Sequence, residues 1–207
     1  MSENYAAGRV CTGFSYPVVA LYQNAGGVVT HTGGRELARG VDVNLSINTT
    51  DDNTFYANNV AAESENGRFS GGTAALTVDG LHGDAERMIY GIPEPAESTF
   101  GEKKIKITKV GDGSEAPYVG IGIIVRYMSA GQEIYVPVVF PKTKFRQLNL
   151  SAKTQDGPNL SWQTQALTAD LHRDDSADHD WKWICEDQTS EADAQAVLDA
   201  ILNVVKA

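Results

Sequence analysis

The chain reads as mainly β: a β-sandwich or barrel-like domain with a short flanking helix (about 81–91) and a C-terminal helix (about 190–205). Three observations predict this. Apolar and polar residues alternate with period two along several segments, the mark of strands with one dry and one wet face. Two Val/Ile-rich runs flank a short glycine-containing turn, a hairpin signal. Only two stretches carry helical spacing.

Phe14–Tyr22 is a β-rich run that ends at Asn24-Ala25-Gly26-Gly27, a strong turn signal. Val41, Val43, Leu45 and Ile47 alternate with Asp42, Asn44, Ser46 and Asn48, which predicts a half-buried strand. Thr73–Asp79 repeats the pattern with Ala74, Leu76 and Val78 inside. Between these two strands, regularity breaks at about 49–68. Thr49-Thr50-Asp51-Asp52-Asn53 is turn chemistry and leads into Thr54-Phe55-Tyr56-Ala57. Two adjacent aromatics on an excursion of this length point either to a surface that meets something or to a strand pair folded back on its parent.

Gly83–Tyr90 carries Asp84 and Glu86 near its start, with Gly91 and Pro93 behind it, so a short helix is expected there. Residues 92–115, with Pro93, Pro95 and the run Lys103-Lys104-Ile105-Lys106, suit an irregular insertion or an inserted hairpin. Tyr118–Tyr127 is read as a fully buried strand in which Gly120 and Gly122 permit close approach. Glu133–Phe140 follows across Met128–Gln132, and Pro137 within it predicts an edge position or a bulge. Gln163–Leu171 is a weaker strand. Ser190 or Thr189 can cap the last helix, with Glu191 and Asp193 at the positive end of its dipole. Its apolar stripe runs Ala194, Val197, Leu198, Ile201, Leu202, Val205. Strands flank both irregular regions, so one domain over residues 1–207 is expected.

Composition narrows the function. A hydrophobic fraction of 42% can build a core. With 27 Asp+Glu against 17 Lys+Arg, the chain is ill suited to gripping duplex phosphates. Met1–Gly8 is polar, without the basic and apolar regions of a leader, and no apolar run approaches the ~20 residues of a membrane helix. Cys11 and Cys185, far apart, are expected to be reduced, buried thiols. His31, His82, His172 and His179 match no zinc motif, and Asp174-Asp175 with Asp178-His179-Asp180 lacks the spacing of a calcium loop. No nucleophile elbow, phosphate loop or dinucleotide fingerprint occurs. The expectation is therefore no enzyme, no metal and no cofactor. Trp162, Trp181 and Trp183 leave open a carbohydrate-binding sandwich, with the latter two on one strand face.

Several segments, in order, resemble a known family: Thr12–Tyr22, Leu37–Val41, Asp51–Asn59, Gly71–Leu81, Pro117–Gly122 with Val125–Met128, Trp162–Gln165, and Arg173-Asp174-Asp175 ahead of Trp181. The set is similar to the major tail proteins, or tail tube proteins, of long-tailed phages with non-contractile tails, mainly of Gram-positive hosts and their prophages. The resemblance implies a structural virion protein, assembled in the host cytoplasm, whose hexameric rings stack into a hollow tube. A long hairpin and the termini would reach neighbouring subunits. DNA would pass through the lumen without specific binding. Tape measure, distal tail and tail terminator proteins would be partners, and no membrane is involved. On that reading Asp51, Asp52, Asn53, Phe55 and Tyr56 belong to the subunit or ring interface, and Asp42, Asn44, Ser46, Thr77 and Asp79 face the lumen. The net charge of −10 would sum to about −60 on a six-chain ring, and acids on the lumen would repel DNA.

Overall fold

The computed structural model describes residues 8–147, 152, 154 and 162–205; Met1–Ala7 of the polar N-terminal stretch lies outside them. In chain order the elements are β1 (Val10–Ala25), β2 (Val28–Glu36), β3 (Gly40–Thr49), β4 (Asn53–Ala57), β5 (Val60–Glu65), β6 (Phe69–Val78), α1 (Gly83–Tyr90), β7 (Ala96–Phe100), β8 (Lys103–Ile107), β9 (Val119–Ser129), β10 (Gln132–Phe145), β11 (Gln165–His172), β12 (Trp183–Ile184) and α2 (Glu191–Leu202). The protein is mainly β, a sheet sandwich with two helices. The strand path is β2-β1-β9-β10-β11-β6-β3, and β12 also pairs with β10. β4–β5 and β7–β8 stand apart as two-stranded hairpins.

The long strand β10 joins the two layers. Its first part, from Gln132 to Phe140, pairs in register with β9, and its last part, Lys142–Phe145, pairs with β11. Between them the β9 register slips by one residue, Phe140 opposing Ile121 but Thr143 opposing Val119. Pro141 sits in this bulge, where a residue without an N–H costs no ladder bond. The sequence pointed instead to Pro137 and ended the strand at Phe140. Pro137 lies buried between neighbours: it opposes Ile124 of β9, and its carbonyl accepts from Cys185 N just after the two-residue β12.

The bulge orphans two carbonyls, and two buried side chains satisfy them. Thr143 Oγ1 donates to Val119 O at 2.9 Å, and His31 Nε2 lies 2.8 Å from Pro141 O. Since the carbonyl can only accept, Nε2 carries the proton. These residues, with Asp174, are the buried polar groups among the described residues. An unmet buried carbonyl costs about 1–3 kcal/mol, which accounts for their presence.

The main core lies between the layers. Ala74, Leu76 and Val78 of β6 meet Leu167, Ala169 and Leu171 of β11, Ile121 and Ile123 of β9, and Ala85 and Ile89 of α1. A second cluster on the outer side of the β1–β9–β10 layer joins Val18, Ala20, Ile124 and Val139 to Ala194, Leu198 and Leu202 of α2. Val119–Ile124 is therefore dry on both faces, as its unbroken apolar run predicts. Gly120 and Gly122 make room for this. A Cβ on Gly122 would come within 2.7 Å of Leu202 and 2.9 Å of Val18, and one on Gly120 would strike the His31 ring. Full burial of Leu198 and Leu202 contributes about 1.5–3 kcal/mol each.

Ser190 caps α2, its hydroxyl accepting from Asp193 N. The helix ends earlier than its apolar spacing predicts, at Asn203 in the left-handed region, and Val205 is exposed. The tail then lies along β2: Gly34 N donates to Asn203 O and Val205 N donates to Gly34 O. β3 also departs from expectation. Val43 and Leu45 face the core, but Val41, at a bulge, and Ile47, near the strand end, are exposed. Both cysteines are free, but Cys11 is exposed and Cys185 half-buried rather than buried.

A Cβ on Gly34 would run into the Leu202 carbonyl, while Gly80 has nothing near it. Gly34→Ala is expected to cost about 1–3 kcal/mol of stability, as overpacking does. Gly80→Ala should stay within about 0.5 kcal/mol of the parent. Urea denaturation midpoints of the two variants check this.

Candidate functional site

Three surfaces hold the residues singled out from sequence. The first is the β4–β5 hairpin. Asn58 and Asn59, both with positive φ, form its two-residue turn, as primed hairpin turns require. Its neck is clamped: Thr50 N donates to Arg68 O, Arg68 N to Thr50 Oγ1, and Gly67 N to Asp52 Oδ1 at 2.8 Å. Asp52 thus works as a clamp within the chain, while Asp51 and Asn53 are exposed beside it. Phe55 and Tyr56 do not fold back on the core; they are 64% and 65% exposed, and Val60 is 66% exposed. Phe55 stands directly across from Glu63, and Asn53 from Glu65.

The second surface is the outer face of β3, β6, β11 and the end of β10. The registers place Ser46, Thr73, Asp170 and Lys144 in one row across four strands. Asp42, Thr77 and Ala166 form a parallel row, as do Asn44, Ala75 and Thr168. Asp42, Asn44, Ser46 and Thr77 therefore do share a polar face. Asp79 follows the end of β6 and is engaged elsewhere. The Arg39 guanidinium lies 2.5 Å from its carboxylate and holds it below the usual carboxylate range.

This face is not the acid-rich surface that the net charge suggested. It carries Lys142, Lys144 and Arg146, each ion-paired, with Asp175, Glu115 and Asp170 respectively. Lys142 is the best embedded. Its Nζ lies over the Tyr22 and Tyr118 rings at 5.2 and 4.9 Å, and Tyr22 donates its hydroxyl to Asp175. Bonds from Lys142 and Tyr22 hold the Asp175 carboxyl down, and burial pushes the Tyr22 phenol up to about 12. The acids concentrate instead between Asp174 and Asp199, where nine stand against one lysine. In that segment Asp174 is buried, accepting from Ser176 N and Oγ, and its backbone N donates to Asp180 O. The first part of the segment, Asp174–Asp180, is a cross-braced turn.

The third surface is the β7–β8 hairpin, which resolves the 92–115 alternatives in favour of an inserted hairpin with irregular flanks. Its exposed Phe100 and Ile105 were not singled out from sequence, although the alternation from Lys104 onward was the signal that could have found them.

The three tryptophans do not form one platform. Trp181 stacks on Phe69 at 4.6 Å, Trp183 packs edge-on to His31 and donates to Asp180, and Trp162 is 87% exposed. Trp181 lies outside β12, so it shares no strand with Trp183. A cleft of about 660 Å³ between β2, α1 and α2 is lined by Tyr16, Arg35, Glu36, His82, Asp84 and Gln195 among others. Burial, then Asp199, drives the Tyr16 phenol well above its ordinary range, away from what acid–base chemistry near neutrality needs. Among the described residues no group of three or more His, Cys, Asp and Glu side chains is placed to hold a metal, and no helix is long and apolar enough to cross a membrane.

No protein-family model matches the chain, and no curated protein matches it.

Burial lowers the pKa of both His31 and His172; Lys142 and Lys144 push His172 the same way. The unfolded chain therefore binds more protons than the folded one once pH drops below ~6.5. The stability these groups contribute is complete above that pH and is lost as pH falls through their folded values. Denaturation free energy should decline between about pH 7 and pH 5, and the His31→Gln, His172→Gln double variant should show a flatter profile over that range. An unchanged slope would exclude these two groups as its source.

Proposed function

We propose that this chain is a tail tube protein: a structural subunit that assembles with itself into stacked hexameric rings forming the tail tube of a long-tailed phage, through which DNA passes to the host. The observation that carries the proposal is the β4–β5 hairpin. Among the described residues nothing covers Phe55, Tyr56 and Val60, yet the hairpin has a clamped neck and a two-asparagine turn. Exposed aromatics on a projecting element are typical anchors of protein interfaces. The ordered resemblance of the sequence to tail tube proteins and the mainly β sandwich support the same reading.

In this proposal the Asp42, Asn44, Ser46 and Thr77 face lines the lumen. Free cations there would bind phosphate and hold DNA in place. Lys142, Lys144 and Arg146 are each paired with a carboxylate, so the face offers hydroxyls, amides and neutralised cations. Such a surface lets DNA slide. The partners are further copies of the chain and the tape measure, distal tail and tail terminator proteins, and the site of action is the virion tail. The work is mechanical and needs neither catalysis nor cofactor.

Negative-stain electron microscopy over a concentration series tests the proposal. Rings or tubes with a central channel are expected; uniform small particles at every concentration, also in the presence of tail initiator proteins, would refute it. The Phe55→Ala, Tyr56→Ala double variant should keep the parent's thermal unfolding and lose assembly. Normal tubes from that variant would remove these two residues from the interface.

A further inference from the structure

The two hairpins that leave the sandwich are chemical complements. The β4–β5 excursion, from Asp51 to Gly67, holds Asp51, Asp52, Glu63 and Glu65 and no lysine or arginine. The β7–β8 excursion, from Ala96 to Lys109, holds Lys103, Lys104, Lys106 and Lys109 against Glu97 and Glu102, in a chain that is otherwise acidic. Cross-strand registers sharpen the contrast. On one face of β4–β5, Phe55 opposes Glu63, with Asn53 and Glu65 alongside. On one face of β7–β8, Phe100 opposes Lys103, Ser98 opposes Ile105 and Ala96 opposes Ile107. Each hairpin thus presents an exposed phenylalanine paired directly with a charge, and the two charges have opposite sign. Phe100 is 55% and Ile105 44% exposed. Lys104 is ion-paired with Glu97, whereas Lys103, Lys106 and Lys109 have no ion-pair partner among the described residues. Glu63 likewise has none, and Glu65 reaches only Arg68 at its own hairpin's neck.

We propose that the Phe100/Ile105 face of the β7–β8 hairpin is the receptor for the Phe55/Glu63 face of the β4–β5 hairpin on a second copy of this chain. The inference rests on the reading that the chain assembles with itself and names the surface on the next subunit that its aromatic hairpin meets. An apolar centre ringed by charge is the usual anatomy of an interface, and opposite rims align the partners while like rims reject them. The two patches lie on different parts of one chain, so the contact is heterologous: each copy offers one of each, and the contact propagates from copy to copy. A two-stranded hairpin is marginal by itself in water. Mutual burial of the two phenylalanine faces gives both hairpins the third layer they lack.

The test uses the full chain and three variants: Glu63→Lys with Glu65→Lys, Lys103→Glu with Ala96→Glu (both on the Phe100/Ile105 face), and all four changes together. All sites are exposed, and thermal unfolding should match the parent. Each two-site variant alone should need at least about ten-fold more protein to assemble, read by sedimentation velocity and negative-stain microscopy. Mixing the two should restore assembly to near the parental concentration, because each supplies the patch the other has reversed. The four-site variant should assemble alone. Rescue on mixing also excludes misfolding as the cause of the loss. If the parent assembles and the two-site variants assemble equally well, this pairing is overturned and the tube reading stands. If losses occur but neither mixing nor the four-site variant rescues, the hairpins meet other surfaces and the pairing again falls. If the parent never assembles, both readings fall together.

Discussion

A single strand has to belong to two layers, and much of the molecule follows from how β10 does so. Its first part is hydrogen-bonded to β9 and its last part to β11, with a bulge at Pro141 between them. A strand cannot change neighbours there without losing ladder bonds. The orphaned carbonyls of Pro141 and Val119 are answered by His31 and Thr143, both buried. The polar interior of this protein is in large part the set of groups needed to make that bend tolerable.

The bend sorts what lies on either side of it. Toward Gln132, β10 and β9 are sandwiched between the main core and α2, and Gly120 and Gly122 thin the sheet so that His31, Leu198 and Leu202 can close on it. Toward Phe145, the same strand turns Lys142 and Lys144 to the wet face, in register with Asp170, Thr73 and Ser46. The polar surface proposed to line the lumen and the dry seat of α2 are thus two ends of one element. Tyr22, Tyr118 and Asp175 converge on Lys142 just beyond the bulge, so the cations of the wet face are committed within the chain. That commitment suits a channel wall better than a nucleic-acid grip.

The two hairpins are the elements the sandwich does not need. Neither contributes a buried hydrophobic residue, and their aromatics stay in water in the single chain. The chain spends internal bonds to hold them out, through the Asp52 and Thr50 clamp in one and the Glu97–Lys104 pair in the other. A partner surface would account for structure held at that cost without burial, and the proposed self-assembly would supply one of the matching charge.

The sequence alone determined which faces would be dry. Ala74, Leu76 and Val78, and Leu167 with Leu171, lie in the core as alternation requires; both helices lie near their expected positions, and the tips at Gly26-Gly27 and Ala130-Gly131 are turns. These are local matters, settled by period, caps and turn chemistry. Two adjacent aromatics amid turn and polar residues left open whether Phe55 and Tyr56 fold back on the core; the structure leaves both exposed. Only the tertiary structure decided the rest. The true bulge at Pro141, the capture of Asp79 by Arg39, the separation of Trp181 from Trp183, and the pairing of every wet-face cation on β10 and just beyond it depend on residues far apart in the chain. The same holds for Val41 and Ile47, whose alternation pointed inward while a bulge and a strand end left them in water. A period reports which side of a strand is apolar; whether another layer arrives to cover that side depends on the path of the whole chain.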